Sequence, residues 1–231
     1  MRGVMTARTR VNFGNRLLAN LPCRDLERMI PHLEPVALTL GDVLYEPGTR
    51  IRHCYFPNDG VVSLLTVVAP YKAAEVGMVG DEGLLGTSAA VGIKVSQLRA
   101  VVQGAGSAMR MTAASLQKEF AASLSLHRGV LRFTHALMGQ IAQTAGCNRF
   151  HKAEMRLARW LLVTRDRLRS ENFHLTHQFL ALMIGARRVG VTHAAGNLAR
   201  RKLISYSRGN VSILDVKGLQ AASFHHQRLV A

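Results

Sequence analysis

Two adjacent arginines, Arg187 and Arg188, open a stretch that reads Arg-Arg-Val-Gly-Val-Thr-His-Ala-Ala-Gly-Asn-Leu-Ala-Arg-Arg-Lys-Leu-Ile. A guanidinium is a planar fork of donors, which matches the O6/N7 edge of guanine with two hydrogen bonds and grips phosphate in the same bidentate way. The neighbouring residues suit a helix that must approach a surface closely, since Ala186, Gly190 and Ala194 are small. Val191, Ala194, Ala195 and Leu198 recur at three- and four-residue intervals. That spacing predicts a helix over residues 187–201 with this row turned inward. Arg187, Arg188 and His193 are then left on faces open to solvent or to DNA.

The elements on either side must position this helix. Thr176 is a capping residue, and Phe179, Leu180, Met183 and Ile184 supply one apolar side, so a first helix is predicted from Thr176. Gly185 falls where the chain must turn sharply between two helices, the glycine position of a helix-turn-helix. The open backbone N–H groups of the first helix, beside Thr176 and Gln178, suit a phosphate. Downstream, residues 203–204, a turn through Tyr206, Ser207, Arg208, Gly209 and Asn210, and residues 211–214 read as a two-stranded wing. The alternative is an ordinary helical hairpin with a basic face. The glycine placement, the basic second helix and the wing together favour a DNA reader.

The charge of the chain agrees. Its 30 Lys and Arg outnumber 14 Asp and Glu for a formal net charge of +16, and 14 of the basic but only 4 of the acidic residues fall in residues 151–231. A surplus concentrated in one part of a chain marks a surface that meets polyanions, although membrane surfaces and plain solubility also favour basic chains. At 231 residues, 48% hydrophobic and 19% charged, the composition is globular, with room for one large domain or two ordinary ones. No apolar run is long enough to cross a bilayer. Residues 1–12 carry Arg2, Arg8 and Arg10 with no apolar segment behind them, so no secretion signal is expected. Cys23, Cys54 and Cys147 are scattered and odd in number, which argues against a disulfide framework and for a reducing, cytoplasmic setting.

The rest of the chain falls into recognisable textures. In residues 15–32, Leu17, Leu18, Leu21, Leu26, Met29 and Ile30 share a helical face, and Pro22 can begin a second short helix. Between residues 34 and 111, short alternating segments (36–40, 43–45, 54–56, 61–68, 75–79, 98–102 and 108–111) are set apart by Gly-, Pro- and Asp-rich turns. That pattern predicts a small antiparallel sandwich or barrel. Thr112 caps a short helix over residues 113–122. Residues 124–149 then run without proline, roughly 39 Å of helix at 1.5 Å per residue. Val130, Thr134, Leu137, Ile141, Thr144 and Asn148 form an a/d-like seam flanked by Leu131, Met138 and Ala145. Such a seam is either the inner face of a packed helix or the contact between two copies, and the length favours the second, a homodimer. Residues 152–169 follow as a basic amphipathic helix whose apolar residues are Met155, Leu157, Ala158, Trp160, Leu161 and Leu162, and residues 170–175 as a polar break.

This order of parts resembles the Crp/Fnr family of bacterial transcription regulators over nearly the full length. The resemblance is carried by residues 17–21 with the helix at 25–30, by Gly41-Asp42-Val43-Leu44-Tyr45-Glu46-Pro47-Gly48, and by residues 176–204 with the wing. It implies an α+β chain with three parts. These are an antiparallel β-roll similar to cyclic-nucleotide-binding domains over residues 1–123, a long dimerisation helix over 124–149 and a C-terminal winged helix-turn-helix over 150–231. It also implies a sequence-specific DNA-binding regulator, not an enzyme, acting as a homodimer on a palindromic operator. The implied partners are double-stranded DNA and RNA polymerase, with no membrane. Carried over by position, Thr176 and Gln178 touch phosphate while Arg188, Val189 and His193 face bases, with Arg187 and Arg208 as further DNA contacts. Val189 and His193 stand where well-studied members carry Glu and Arg, so their operator sequence does not transfer.

The effector site departs from the family pattern. Cyclic-nucleotide binders of the family hold the phosphate with a Gly-Glu segment followed by an Arg-Ser or Arg-Thr pair. Gly80-Asp81-Glu82-Gly83-Leu84-Leu85-Gly86 resembles the first part, which places an effector pocket at Glu82, Gly83, Leu84 and Ser96. The second part falls in Gly92-Ile93-Lys94-Val95-Ser96-Gln97-Leu98-Arg99, where no such pair exists, so the phosphate loses its bidentate partner. Lys94 and Arg99 are candidates to replace it, but strand alternation turns either outward as readily as inward. Glu82 is a remnant of that site or a turn carboxylate, the turn being favoured. The effector is therefore unknown and not expected to be a cyclic nucleotide. A cyclic-nucleotide-responsive regulator and an architectural DNA-binder that senses nothing are the alternatives. The cysteine cluster of iron–sulfur relatives is absent, and His225-His226 has no neighbouring carboxylate or cysteine, so no metal or cofactor is expected.

Overall fold

The computed structural model describes residues 13–69 and 72–223. The basic N-terminal stretch and His225-His226 lie outside them. Two short helices come first, α1 (Arg16–Ala19) and α2 (Cys23–Met29). Buried Asn15 caps α1 by accepting from Leu18 N, and its amide donates to the carbonyls of Pro57 and Gly83, which ties the helix to two turns of the β-region. Seven strands follow: β1 (Glu34–Leu38), β2 (Val43–Tyr45), β3 (His53–Pro57), β4 (Val61–Ala69), β5 (Lys72–Val79), then, after the helical turn α3 (Thr87–Ala90), β6 (Arg99–Gly104) and β7 (Gly106–Thr112). They pair antiparallel in two sheets, β1-β7-β3 and β2-β6-β4-β5, which share one apolar core with α1 and α2.

Helix α4 (Ala113–Ala122), capped by the Thr112 hydroxyl, leads into α5 (Leu124–Phe150). Beyond it lie α6 (Ala153–Leu168), β8 (Asn172–His174), α7 (His177–Met183), α8 (Arg188–Arg200), β9 (Ile204–Ser207), β10 (Asn210–Ile213) and α9 (Val216–Ala222). Their core contains Leu157, Trp160 and Leu161 of α6, Leu180 of α7 and Val191 and Leu198 of α8, and it also takes in Val61, Leu65 and Met78 from the β-roll. Strand β4 is thus buried on two sides, with Val62 and Leu64 in the first core and Val61 and Leu65 in the second. That is why it reads as an apolar run instead of an alternation. The expected boundary near residue 150 is spanned by this shared core.

A polar network crosses the same contact. Glu75 of β5 receives a hydrogen bond from the Trp160 indole at 3.1 Å, and Gln103 of β6 donates to Thr164 of α6 at 3.0 Å. Between them, Ser63 Oγ lies 2.6 Å from Glu75 Oε2 and 2.5 Å from Gln103 Oε1. One hydroxyl proton cannot serve two acceptors, so the Glu75 carboxyl supplies the second. Burial pushes that carboxyl up to about 8, against the opposing pull of the Arg167 and Arg159 charges and the Trp160 hydrogen bond.

Two expectations are corrected by this architecture. Residues 170–175 contain a strand, β8, which makes the wing sheet three-stranded in the order β8-β10-β9. Phe173 alone is buried in it, between exposed Asn172 and His174, and one apolar residue is too few to reveal a period of two. The seam on α5 serves the chain's own core. Val130 is buried there, Leu137 packs on it, and Leu137 and Ile141 crowd Gly77 of β5. The Thr134 hydroxyl donates to the Val130 carbonyl, Thr144 is half-buried, and Asn148 accepts a hydrogen bond from Arg156 of α6 at 3.3 Å. A 27-residue helix covers the roll with the face carrying its bulkiest inward groups. The face turned away carries Leu124, Leu131 and Met138 (50–63% exposed), with exposed Ala142 and Ala145 beyond them.

Candidate nucleic-acid interface

The hydroxyl of Thr176 accepts from Phe179 N at 3.1 Å and starts α7, whose apolar side is buried at Leu180, Ala181 and Met183. The helix stops at Gly185, which adopts φ +59, a left-handed conformation that costs a glycine little. Ala186 N closes the turn on the Ala181 carbonyl at 2.9 Å. Arg187, in extended conformation, is the last residue before α8, which buries the row Val191, Ala194, Ala195 and Leu198 as the periodicity predicts. Arg187, Arg188, Val189 and His193 are exposed, as are Thr176 and Gln178. Neither Arg187 nor Arg188 has an ion-pair partner among the described residues. Arg208 and Gly209, both at positive φ (49 and 86), form the two-residue turn that joins β9 to β10 and leaves Arg208 exposed.

Three groups that hold this surface are not legible in the sequence. His177, the first residue of α7, stacks on Tyr206 of the wing with ring centroids 4.5 Å apart. Its Nδ1 lies 3.0 Å from the Thr192 hydroxyl of α8, which donates to the Arg188 carbonyl, so the histidine is the donor to Thr192. Its Nε2 is buried with no partner among the described residues, and burial, followed by the nearby Arg188 charge, lowers its pKa. A neutral imidazole therefore joins first helix, second helix and wing. At the other end of α8, Glu154 of α6 takes Arg201 at 2.8 Å and Asn197 at 2.9 Å, anchoring the helix to the scaffold. Tyr206 adds a bond from its hydroxyl to the Leu175 carbonyl.

The family model of the Crp-like helix-turn-helix domain matches residues 155–222, which span α6 to α9. That part of the chain is similar to Crp-like helix-turn-helix domains, and the chain shares its fold with solved Crp/Fnr structures. Among solved structures, a Eubacterium rectale protein assigned to the Crp/Fnr family of transcriptional regulators superposes with a TM-score of 0.73 at 13% identity, covering 92% of this chain and 99% of that one. A CRP-family transcriptional regulator from Thermus thermophilus gives 0.71 at 17% identity, covering 84% and 100%. FixK2 from Bradyrhizobium japonicum gives 0.70 at 14%, covering 84% and 99%. No curated protein matches the chain in sequence.

The β-roll of this Crp/Fnr fold holds a cavity of about 230 Å³, lined among others by Tyr45, Leu64, Leu84, Ser96, Leu137 and Ile141. Of the four residues expected to form a pocket, Leu84 and Ser96 line it; Glu82 lines a separate cleft of about 730 Å³ with Arg16, Arg128, Arg132 and Arg167, and Gly83 lines neither. Glu82 pairs with Arg167 of α6 at 2.9 and 3.1 Å, each side chain 10% exposed. Gly83 sits under the ring of Phe133 on α5, which any Cβ at this position would strike. Both therefore fasten the turn after β5 to the helices, in keeping with Glu82 as a turn carboxylate. No charged side chain lines the cavity: Lys94 is exposed and Arg99 is paired with Glu46 at 2.9 Å.

Proposed function

We propose that this chain is a sequence-specific DNA-binding transcription regulator that works as a homodimer on a two-fold operator. The outward face of α8 carries the reading, because it presents Arg187 and Arg188, without ion-pair partners among the described residues, together with Val189 and His193 on a helix locked from behind. Arg188, Val189 and His193 meet base edges in the major groove. Thr176, Gln178, Arg187 and Arg208 meet phosphates on either side. Work on DNA places the protein in the cytoplasm, with RNA polymerase as the partner through which binding acts on transcription. No helix among the described residues is long and apolar enough to cross a membrane. Selection of bound duplexes from a random pool tests the reading. A palindromic motif with half-sites about 34–36 Å apart is expected, and a pool that enriches nothing overturns it.

The second copy docks on the outer face of α5, where Leu124, Leu131 and Met138 recur every seven residues and Ala142 and Ala145 allow close approach. Met138→Asp should place an unpaired charge in that contact and leave monomers in light scattering, with an unchanged circular dichroism spectrum. A fully dimeric variant would move the interface elsewhere.

The cavity supports an effector other than a cyclic nucleotide, since a phosphate placed there finds no cation and loses its hydration. Calorimetry with cyclic AMP and cyclic GMP should record no binding in the micromolar range. Micromolar or tighter affinity for either would mean that Arg99 leaves Glu46 to take the phosphate.

A further inference from the structure

We infer that Val189 reads thymine, packing its methyl groups against the C5 methyl of one thymine in each half-site. The inference rests on α8 being the recognition helix and goes on to name what the centre of that helix selects. At 3.6 residues per turn, Val189, Thr192, His193 and Gly196 lie on one stripe, directly opposite the buried row. This stripe is what would stand deepest in a groove. Val189 is 67% exposed and is the one large apolar side chain that α8 leaves in solvent. A β-branched residue is a poor choice for an exposed first turn, so helix formation does not account for it.

The neighbours extend the apolar character. The Thr192 hydroxyl is engaged with the Arg188 carbonyl and with His177, which leaves its methyl as the group free to meet a ligand. A Cβ on Gly196 would meet nothing within 4 Å, so the centre of the stripe has no bulk to hold a base edge away. The charges stand at the ends, Arg187 and Arg188 before the stripe and Arg200, Arg201 and Lys202 after it. Phosphates flank a groove and base edges floor it, so this distribution leaves the cations at the two ends, Arg188 at the near end beside the bases, and puts methyl groups at the centre of the base contact. In the major groove the only apolar feature that separates one base pair from another is the thymine methyl.

The test uses the full-length protein and the motif recovered from the random pool. Each thymine is replaced singly by deoxyuridine, which pairs identically and lacks only the methyl. One thymine per half-site should respond, with affinity falling about fourfold, the loss expected for one buried methyl group. Val189→Ala should bind the thymine and uracil duplexes alike, while Val189→Ile should retain the difference. If a motif is recovered but no thymine responds, or if Val189→Ala keeps the full response, Val189 is not the reader although the chain still reads sequence. If no motif is recovered, the inference falls together with the reading it rests on.

Discussion

Replacing Arg188 by alanine should cost about 1–3 kcal/mol for each half-site bound and relax the preference at one base pair of that half-site. Replacing Gln178 by alanine should weaken all duplexes alike, because a phosphate contact carries no sequence information. The contrast is clean because both side chains are exposed and Arg188 has no ion-pair partner among the described residues, so neither change disturbs the scaffold. Selection against a random pool, followed by titration of the selected and an unrelated duplex, reads the two effects separately. An unchanged preference with Arg188→Ala would displace the recognition helix from the position given to it here. Loss of affinity in both variants without a change of preference would make Arg188 a phosphate clamp, and specificity would then rest on Val189 and His193.

The legible parts of the fold are those where one short stretch of sequence decides the outcome. Val191, Ala194, Ala195 and Leu198 announce the buried side of α8 because a helix repeats on the scale of those few residues. Gly185 and the turn through Arg208 and Gly209 are equally local, since backbone conformation decides them. The family model agrees on residues 155–222, the same part of the chain. The illegible parts depend on partners far away in sequence. Glu82 reads as a turn residue until Arg167, 85 positions later, is seen to hold it. Residues Ser63, Glu75, Gln103, Trp160 and Thr164 come from four elements, and no spacing connects them. The two sides of α5 fail for another reason. Buried Val130 and exposed Leu131 belong to rows with nearly the same repeat, and periodicity cannot say which row meets the chain's own sheet.

The buried carboxyl of Glu75 should set a pH dependence of stability that a glutamine removes. Its ordinary value is 4.5 and in the fold it is pushed to about 8, chiefly by burial between sheet and α6. Between those two values the native state keeps a proton that the unfolded chain has released. Stability therefore falls as pH rises through this window, by up to roughly 1.4 kcal/mol per pH unit from this one group, and levels off above the upper value. Below the window both states are protonated and the group contributes no slope. Glu75→Gln keeps a donor toward Ser63 and an acceptor for the Trp160 indole but cannot ionise. Denaturant unfolding from acid to mildly alkaline pH should thus give a flatter profile for the variant, and above the window the variant should be the more stable protein. The difference between the two profiles is the quantity that decides. Parallel profiles would show that the native carboxyl ionises in place. Arg167 and Arg159 would then have to neutralise it, and the contact between β-roll and winged helix would be held by charge rather than by a chain of neutral hydrogen bonds.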